Sequence, residues 1–133
     1  MESRVDHLAI AVRSVESALA FYRDQLGMQV TQRRTIAEEG VGVTMLDGGS
    51  VRIDLLEALG PESVVARFLD KRGEGVHHLA VTVQNLSETI ERLRAAGAKI
   101  LNNPRPGGDG RLSAFIHPAS AGGVLLELLQ QET

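Results

Sequence analysis

The amino-acid sequence predicts an α+β fold built from two paired β-α-β-β-β modules, and three observations predict it. The first is a repeated opening. Val5-Asp6-His7-Leu8-Ala9-Ile10-Ala11-Val12 returns as Val76-His77-His78-Leu79-Ala80-Val81-Thr82-Val83. The second is a helix pattern after each opening, closed each time by a glycine: His7 and His78 stand 71 residues apart, Gly27 and Gly97 stand 70 apart. The third is a matching close, in which Ile53-Asp54-Leu55-Leu56 answers Leu126-Glu127-Leu128-Leu129 with the carboxylates 73 residues apart. Either half alone is too small to bury an adequate core. The halves are therefore expected to pack as a single domain over 1–133, with module 1 at about 4–57, a connecting helix at about 60–72 and module 2 at about 75–130.

Each element follows from its own pattern. The two opening stretches are short, β-rich and free of Gly and Pro, as buried strands are. Ser14 is a helix N-cap, and Val15, Ala18, Leu19, Tyr22 and Leu26 recur at helical spacing before Gly27. Strands are expected at Met28–Thr35, Val41–Leu46 and Val51–Leu56, separated by the polar turn Ala37-Glu38-Glu39-Gly40 and the hairpin turn Asp47-Gly48-Gly49-Ser50. Pro61 near the first turn, Glu62 within it and Arg67, Lys71 and Arg72 toward the end suit a helix dipole. Val64, Val65, Phe68 and Leu69 supply that helix with an apolar stripe, and Gly73-Glu74-Gly75 ends it. In the second copy, Asn85 and Glu88 have capping-box spacing, with Leu86, Ile90 and Leu93 on one helix face. A short strand at Ala98–Asn102, a loop at Pro104–Gly110, a strand at Arg111–Ile116, a turn at His117–Gly123 and a strand at Val124–Leu129 complete it.

Composition narrows the class of function. The chain is 43% hydrophobic with a net charge of -3, which supports a real core and argues against a nucleic-acid binder. No apolar run approaches the roughly 20 residues of a membrane span, and no signal peptide is visible, so a cytoplasmic protein is expected. There is no Cys, so any metal must be held by His and carboxylate.

Alternation across a strand puts His7, Ala9 and Ala11 on one face and Leu8, Ile10 and Val12 on the other. The same holds for His78, Ala80 and Thr82 against Leu79, Val81 and Val83. Each opening strand then has a bulky face for the core and a face where a His sits beside small residues, leaving room for something else. If a pseudo-twofold axis relates the halves, His7, Asp54, His78 and Glu127 converge in a shared metal cleft. Two imidazoles and two carboxylates suit Co, Zn, Ni, Mn or Fe in the divalent state. A carboxylate amid Val124-Leu125-Leu126 and Leu128-Leu129 needs such a partner, because burying an unpaired charge is costly. His77 points away from His78 and is assigned to core packing or to a bond behind the ligands. His117, before Pro118 in a turn, is assigned a structural role.

The arrangement resembles the vicinal oxygen chelate superfamily, which includes glyoxalase I, extradiol dioxygenases, fosfomycin-resistance proteins and methylmalonyl-CoA epimerase. The likeness narrows to the methylmalonyl-CoA epimerase family on Asp6-His7-Leu8-Ala9-Ile10-Ala11-Val12, Leu59-Gly60-Pro61-Glu62-Ser63, Phe68-Leu69 and Lys71-Arg72-Gly73-Glu74-Gly75-Val76-His77-His78. Glu38-Glu39-Gly40-Val41, Pro104-Arg105-Pro106-Gly107 and Gly122-Gly123-Val124-Leu125-Leu126-Glu127-Leu128 extend it over nearly the whole chain. The resemblance implies a glyoxalase-like fold and carries the metal ligands to His7, Asp54, His78 and Glu127, with Co2+ first among the ions and Zn2+, Ni2+ or Mn2+ behind it. It also implies a homodimer. Ala119 stands where relatives often have a Lys after the His-Pro turn, which weakens any anion contact there.

The activity implied is interconversion of (R)- and (S)-methylmalonyl-CoA by removal and return of the C2 proton through a metal-stabilised enolate. Inversion favours two acid/base groups, and the candidates are Glu127 and, by resemblance to the family's turn glutamate, Glu38. Arg105 and Arg111 are candidate CoA phosphate contacts. The rival readings are a glyoxalase I-like isomerase, an extradiol dioxygenase using two His and one carboxylate, and a metal-free binding module. Fold alone does not choose among them.

Overall fold

A computed structural model describes residues 2–132 of the chain. Their order is β1 (Ser3–Ala11), α1 (Val15–Tyr22), β2 (Val30–Ile36), β3 (Val41–Asp47), β4 (Arg52–Ala58), α2 (Val64–Arg72), β5 (Gly75–Val83), α3 (Leu86–Ala95), β6 (Arg105–Pro106), β7 (Leu112–Ile116) and β8 (Leu126–Gln130). Short 3-10 turns occupy Ala37–Glu39 and Pro118–Ser120. Both halves thus carry the expected β-α-β-β-β order. The described residues form two compact units, one running from His7 to His77 and the other combining residues 2–6 with residues 78–132. It passes between units inside β1, at Asp6–His7, and again inside β5, at His77–His78.

The first unit has the strand order β2-β3-β4-β1, antiparallel except for the parallel pair β1–β4. Helix α1 covers one face, packing Val15 and Leu19 against Val12, Leu46 and Leu55. Leu19 and Leu55 are wholly buried, and each stabilises the unit by roughly 1.5–3 kcal/mol. Helix α2 covers the other face, packing Val65 and Leu69 onto Ala9, Ala11, Val43 and Met45. The room left by the small residues of β1 is therefore filled by α2, and the expected connecting helix is part of this unit's core.

The second unit has the order β5-β8-β7-β6, again antiparallel apart from its parallel pair, β5–β8. Leu86 and Ile90 of α3 pack on Val83, Ala114, Ile116 and Leu128. The first segment of β1 belongs here: Thr82 Oγ1 donates to the Arg4 carbonyl at 3.5 Å.

Local chemistry sets most boundaries as expected. Ser14 accepts from Ser17 N at 3.2 Å, and Asn85 accepts from Glu88 N at 3.0 Å, satisfying donors that a first helical turn leaves unpaired. The β3–β4 turn is glycine-dependent. Gly49 has φ +91° and donates to Asp47 Oδ1 at 2.8 Å, while a Cβ on Gly48 would clash with the Val51 carbonyl.

Four expectations are corrected. Helix α1 ends at Tyr22, so Leu26 lies in the turn before Gly27 and is 54% exposed instead of joining the apolar stripe. Helix α2 starts only after Ser63, whose hydroxyl accepts from Ala66 N at 3.0 Å. Pro61 and Glu62 precede it and Val64 is exposed, so its stripe reduces to Val65, Phe68 and Leu69. Ala98–Asn102 forms only a single bridge, Ile100 with Ile116, because the Asn102 side chain takes the Phe115 N–H at 2.9 Å in place of a backbone carbonyl. The expected loop at Pro104–Gly110 instead contributes β6.

Candidate metal centre

Register puts a histidine and an acid side by side in each unit by the same device. In the first, Ala9 of β1 lies opposite Asp54 of β4, with His7 two residues before Ala9 on the same face. In the second, Ala80 of β5 lies opposite Glu127 of β8, with His78 two residues before Ala80. His7 Nε2 stands 3.7 Å from Asp54 Oδ2, and His78 Nε2 stands 3.2 Å from Glu127 Oε1. All four residues are buried, at 5, 4, 8 and 7% exposure respectively. Two buried acids, each beside an imidazole nitrogen, form the kind of paired arrangement that offsets the cost of desolvating charge.

The first pair has a third member that reading the sequence missed. Arg52, two residues before Asp54 on β4, donates from Nε to Asp54 Oδ1 at 2.7 Å and from Nη2 to Oδ2 at 3.0 Å. Nη2 also meets His7 Nδ1 at 3.0 Å. A guanidinium can only donate, so that ring nitrogen is the acceptor. The signal was present: strand alternation puts Arg52 and Asp54 on one face.

In the second pair, the His78 ring meets Phe115 edge-on, with centroids 5.4 Å apart at 87°. Phe115 is also the β7 residue opposite Glu127. Close by, Arg111 is gripped by two acids. It gives Nη1 and Nη2 to Asp6 at 3.0 and 2.9 Å, and Nε to Asp109 at 2.8 Å. The hydrogen bonds to Asp6 hold its guanidinium well above the ordinary arginine range, and Asp109 adds to them against the cost of burial. Arg111, offered above as a phosphate contact, is committed to these carboxylates, whereas Arg105 is exposed. The same loop carries Gly107, where a Cβ would stand 3.2 Å from Ser113 Oγ and 3.7 Å from Glu127 Oε2.

The remaining candidates separate clearly. Glu38 is exposed in the 3-10 turn Ala37–Glu39 between β2 and β3. The His77 ring packs at a tilt of 60° against Phe68, with centroids 4.9 Å apart, in keeping with a packing role. His117 caps the second 3-10 turn, its Nδ1 accepting from Ala119 N at 2.9 Å, which is the structural role expected of it.

Comparison with known proteins agrees with this architecture. Residues 6–115 match the Glyoxalase/Bleomycin resistance protein/Dioxygenase superfamily. An ethylmalonyl-CoA/methylmalonyl-CoA epimerase of Cereibacter sphaeroides is 37% identical, covering 98% of this chain and 99% of its own. The crystal structure of methylmalonyl-CoA epimerase from Mycobacterium tuberculosis superposes with a TM-score of 0.87 at 36% identity, over 97% of this chain and 88% of that one. The Streptomyces coelicolor methylmalonyl-CoA epimerase solved with 2-nitronate-propionyl-CoA gives 0.87 at 34% identity, over 98% of each chain. This chain belongs to the glyoxalase superfamily and, within it, to the methylmalonyl-CoA epimerase family.

Proposed function

We propose that the chain is an isomerase that interconverts (R)- and (S)-methylmalonyl-CoA, with its two units working as one domain around a single divalent ion. The observation that carries the reading is the duplicated register, His7 with Asp54 and His78 with Glu127, in a chain 37% identical to an epimerase over nearly its whole length. Two imidazoles and two carboxylates, all buried, fit a divalent cation of borderline character, and Co2+ is the ion we would load first. His7, Asp54, His78 and Glu127 would hold it. A divalent ion there supplies positive charge against the thioester oxygen, which becomes anionic as the C2 proton leaves.

The protein's own groups handle the proton. Inversion needs removal from one face of C2 and return to the other, and two carboxylates divide the work. Glu38 serves one face from the turn between β2 and β3. Glu127 serves the other. Arg105, exposed on β6, meets the CoA phosphates. A homodimer completes the proposal, supported by the half-exposed apolar side chains Phe21, Leu59 and Val64. A cytoplasmic setting is supported by the bacterial relative matched nearly end to end.

The test is exchange at C2. Methylmalonyl-CoA incubated with the protein in D2O should take up solvent deuterium at C2 while its epimers equilibrate. Absence of epimerisation would overturn the reading, and turnover of a glutathione hemithioacetal in its place would transfer the chain to the glyoxalase I-like one.

A further inference from the structure

We propose that Arg52 is a built-in rival to the divalent ion: it holds His7 and Asp54 together and must swing away before that pair can bind metal. The inference rests on the metal reading above. One guanidinium spans both residues, donating to Asp54 Oδ1 at 2.7 Å, Asp54 Oδ2 at 3.0 Å and His7 Nδ1 at 3.0 Å. Because Arg52 only donates, His7 Nδ1 must accept, and a neutral ring then carries its proton on Nε2. A metal-bound neutral imidazole turns its one lone pair to the metal and keeps its proton on the other nitrogen, and in His7 that lone pair is already taken by Arg52. Both oxygens of Asp54 are engaged as well. A divalent ion cannot use His7 in this arrangement, and it would meet a fixed positive charge at Asp54.

Arg52 also has somewhere to go. Its side chain is 26% exposed, whereas those of Asp54 and His7 are 6 and 7%. The duplication does not repeat the device, since Leu125 stands two residues before Glu127 where Arg52 stands before Asp54. The ordinary alternative is an arginine that supports a ligating carboxylate from behind, whose loss weakens metal binding by about 10–100-fold. A rival cation predicts the opposite sign.

Metal-free protein is titrated calorimetrically with Co2+, comparing the native chain with Arg52→Met and Arg52→Lys, with circular dichroism confirming the fold. Arg52→Met should bind about tenfold more tightly or better. Arg52→Lys, which keeps the charge but loses the fork, should fall between. Co2+ binding followed by visible absorption in stopped flow should be faster in Arg52→Met. If Arg52→Met leaves the affinity unchanged or lowers it while the native chain binds Co2+, the arginine is a support and the inference is overturned. If none of the chains binds Co2+, the metal reading falls and takes the inference with it. Should Arg52→Met fail to fold, Arg52→Lys decides, tighter binding supporting the inference and equal or weaker binding overturning it.

Discussion

Arg111 donates to both carboxylate oxygens of Asp6, through hydrogen bonds of 3.0 and 2.9 Å that join the loop before β7 to the residue preceding His7. The side chains of the pair are 14 and 18% exposed, so removing one partner leaves a largely desolvated charge behind. Arg111→Met should cost about 3 kcal/mol, the lower end of the range for breaking a buried pair. Urea denaturation followed by circular dichroism measures it. A change within 0.5 kcal/mol, roughly the scatter of surface substitutions, would show that the pair contributes nothing net.

His78 is the sharpest test of the ligand set. Its Nε2 stands 3.2 Å from Glu127 Oε1, so His78→Ala removes one donor and leaves the acid beside an empty space. Co2+ affinity should fall by more than about tenfold, or 1.4 kcal/mol, with C2 exchange lost alongside. Metal analysis of the purified protein and a Co2+ titration both read this. Full metal content with normal exchange would remove His78 from the site.

Glu38 is exposed, so its replacement should leave the fold and the metal alone. Glu38→Ala is expected to lower the epimerisation rate by about 10²–10⁴-fold, the usual span for a lost acid/base group. Thermal melting and Co2+ affinity should match the native chain. Normal turnover would assign Glu38 to the solvated turn and leave the second proton carrier to be found.

Ala9 has no accessible surface beneath Val65 and Leu69 of α2. A larger side chain must push the helix off or strain its own rotamer. Ala9→Val should therefore destabilise by about 1–3 kcal/mol. Denaturant titration checks this, and an unchanged midpoint would mean that the space beside β1 is open after all.

The sequence disclosed the fold through its repetition more than through local propensity. Matched histidines, glycines and acids allowed the strands to be paired by analogy, and the register of Ala9 with Asp54 and Ala80 with Glu127 follows that analogy closely. Side-chain substitutions for backbone partners were not legible. Asn102 takes a ladder donor through its amide, so a stretch with strand composition makes one bridge only. Nor was the end of α1, where Leu26 keeps helical spacing but lies past the last helical residue.

The candidate site was legible where it is duplicated and obscure where it is not. His7, Asp54, His78 and Glu127 announce themselves by recurrence. Arg52 occurs in one copy alone, and its grip on Asp54 is visible only once the strand face is examined for charges as well as for ligands. Arg111 and Asp6 are 105 residues apart, and nothing in either neighbourhood names the other.

The passage of the chain between units inside β1 and β5 bears on how such a protein can be divided or inherited. A gene cut between the repeats, ahead of β5, would yield two pieces of equal-looking pedigree, yet the later piece would lack Ser3–Asp6 and with them the carboxylate that Arg111 holds. Each sequence repeat therefore leaves the first residues of its opening strand to the other unit, so neither repeat by itself is a complete unit.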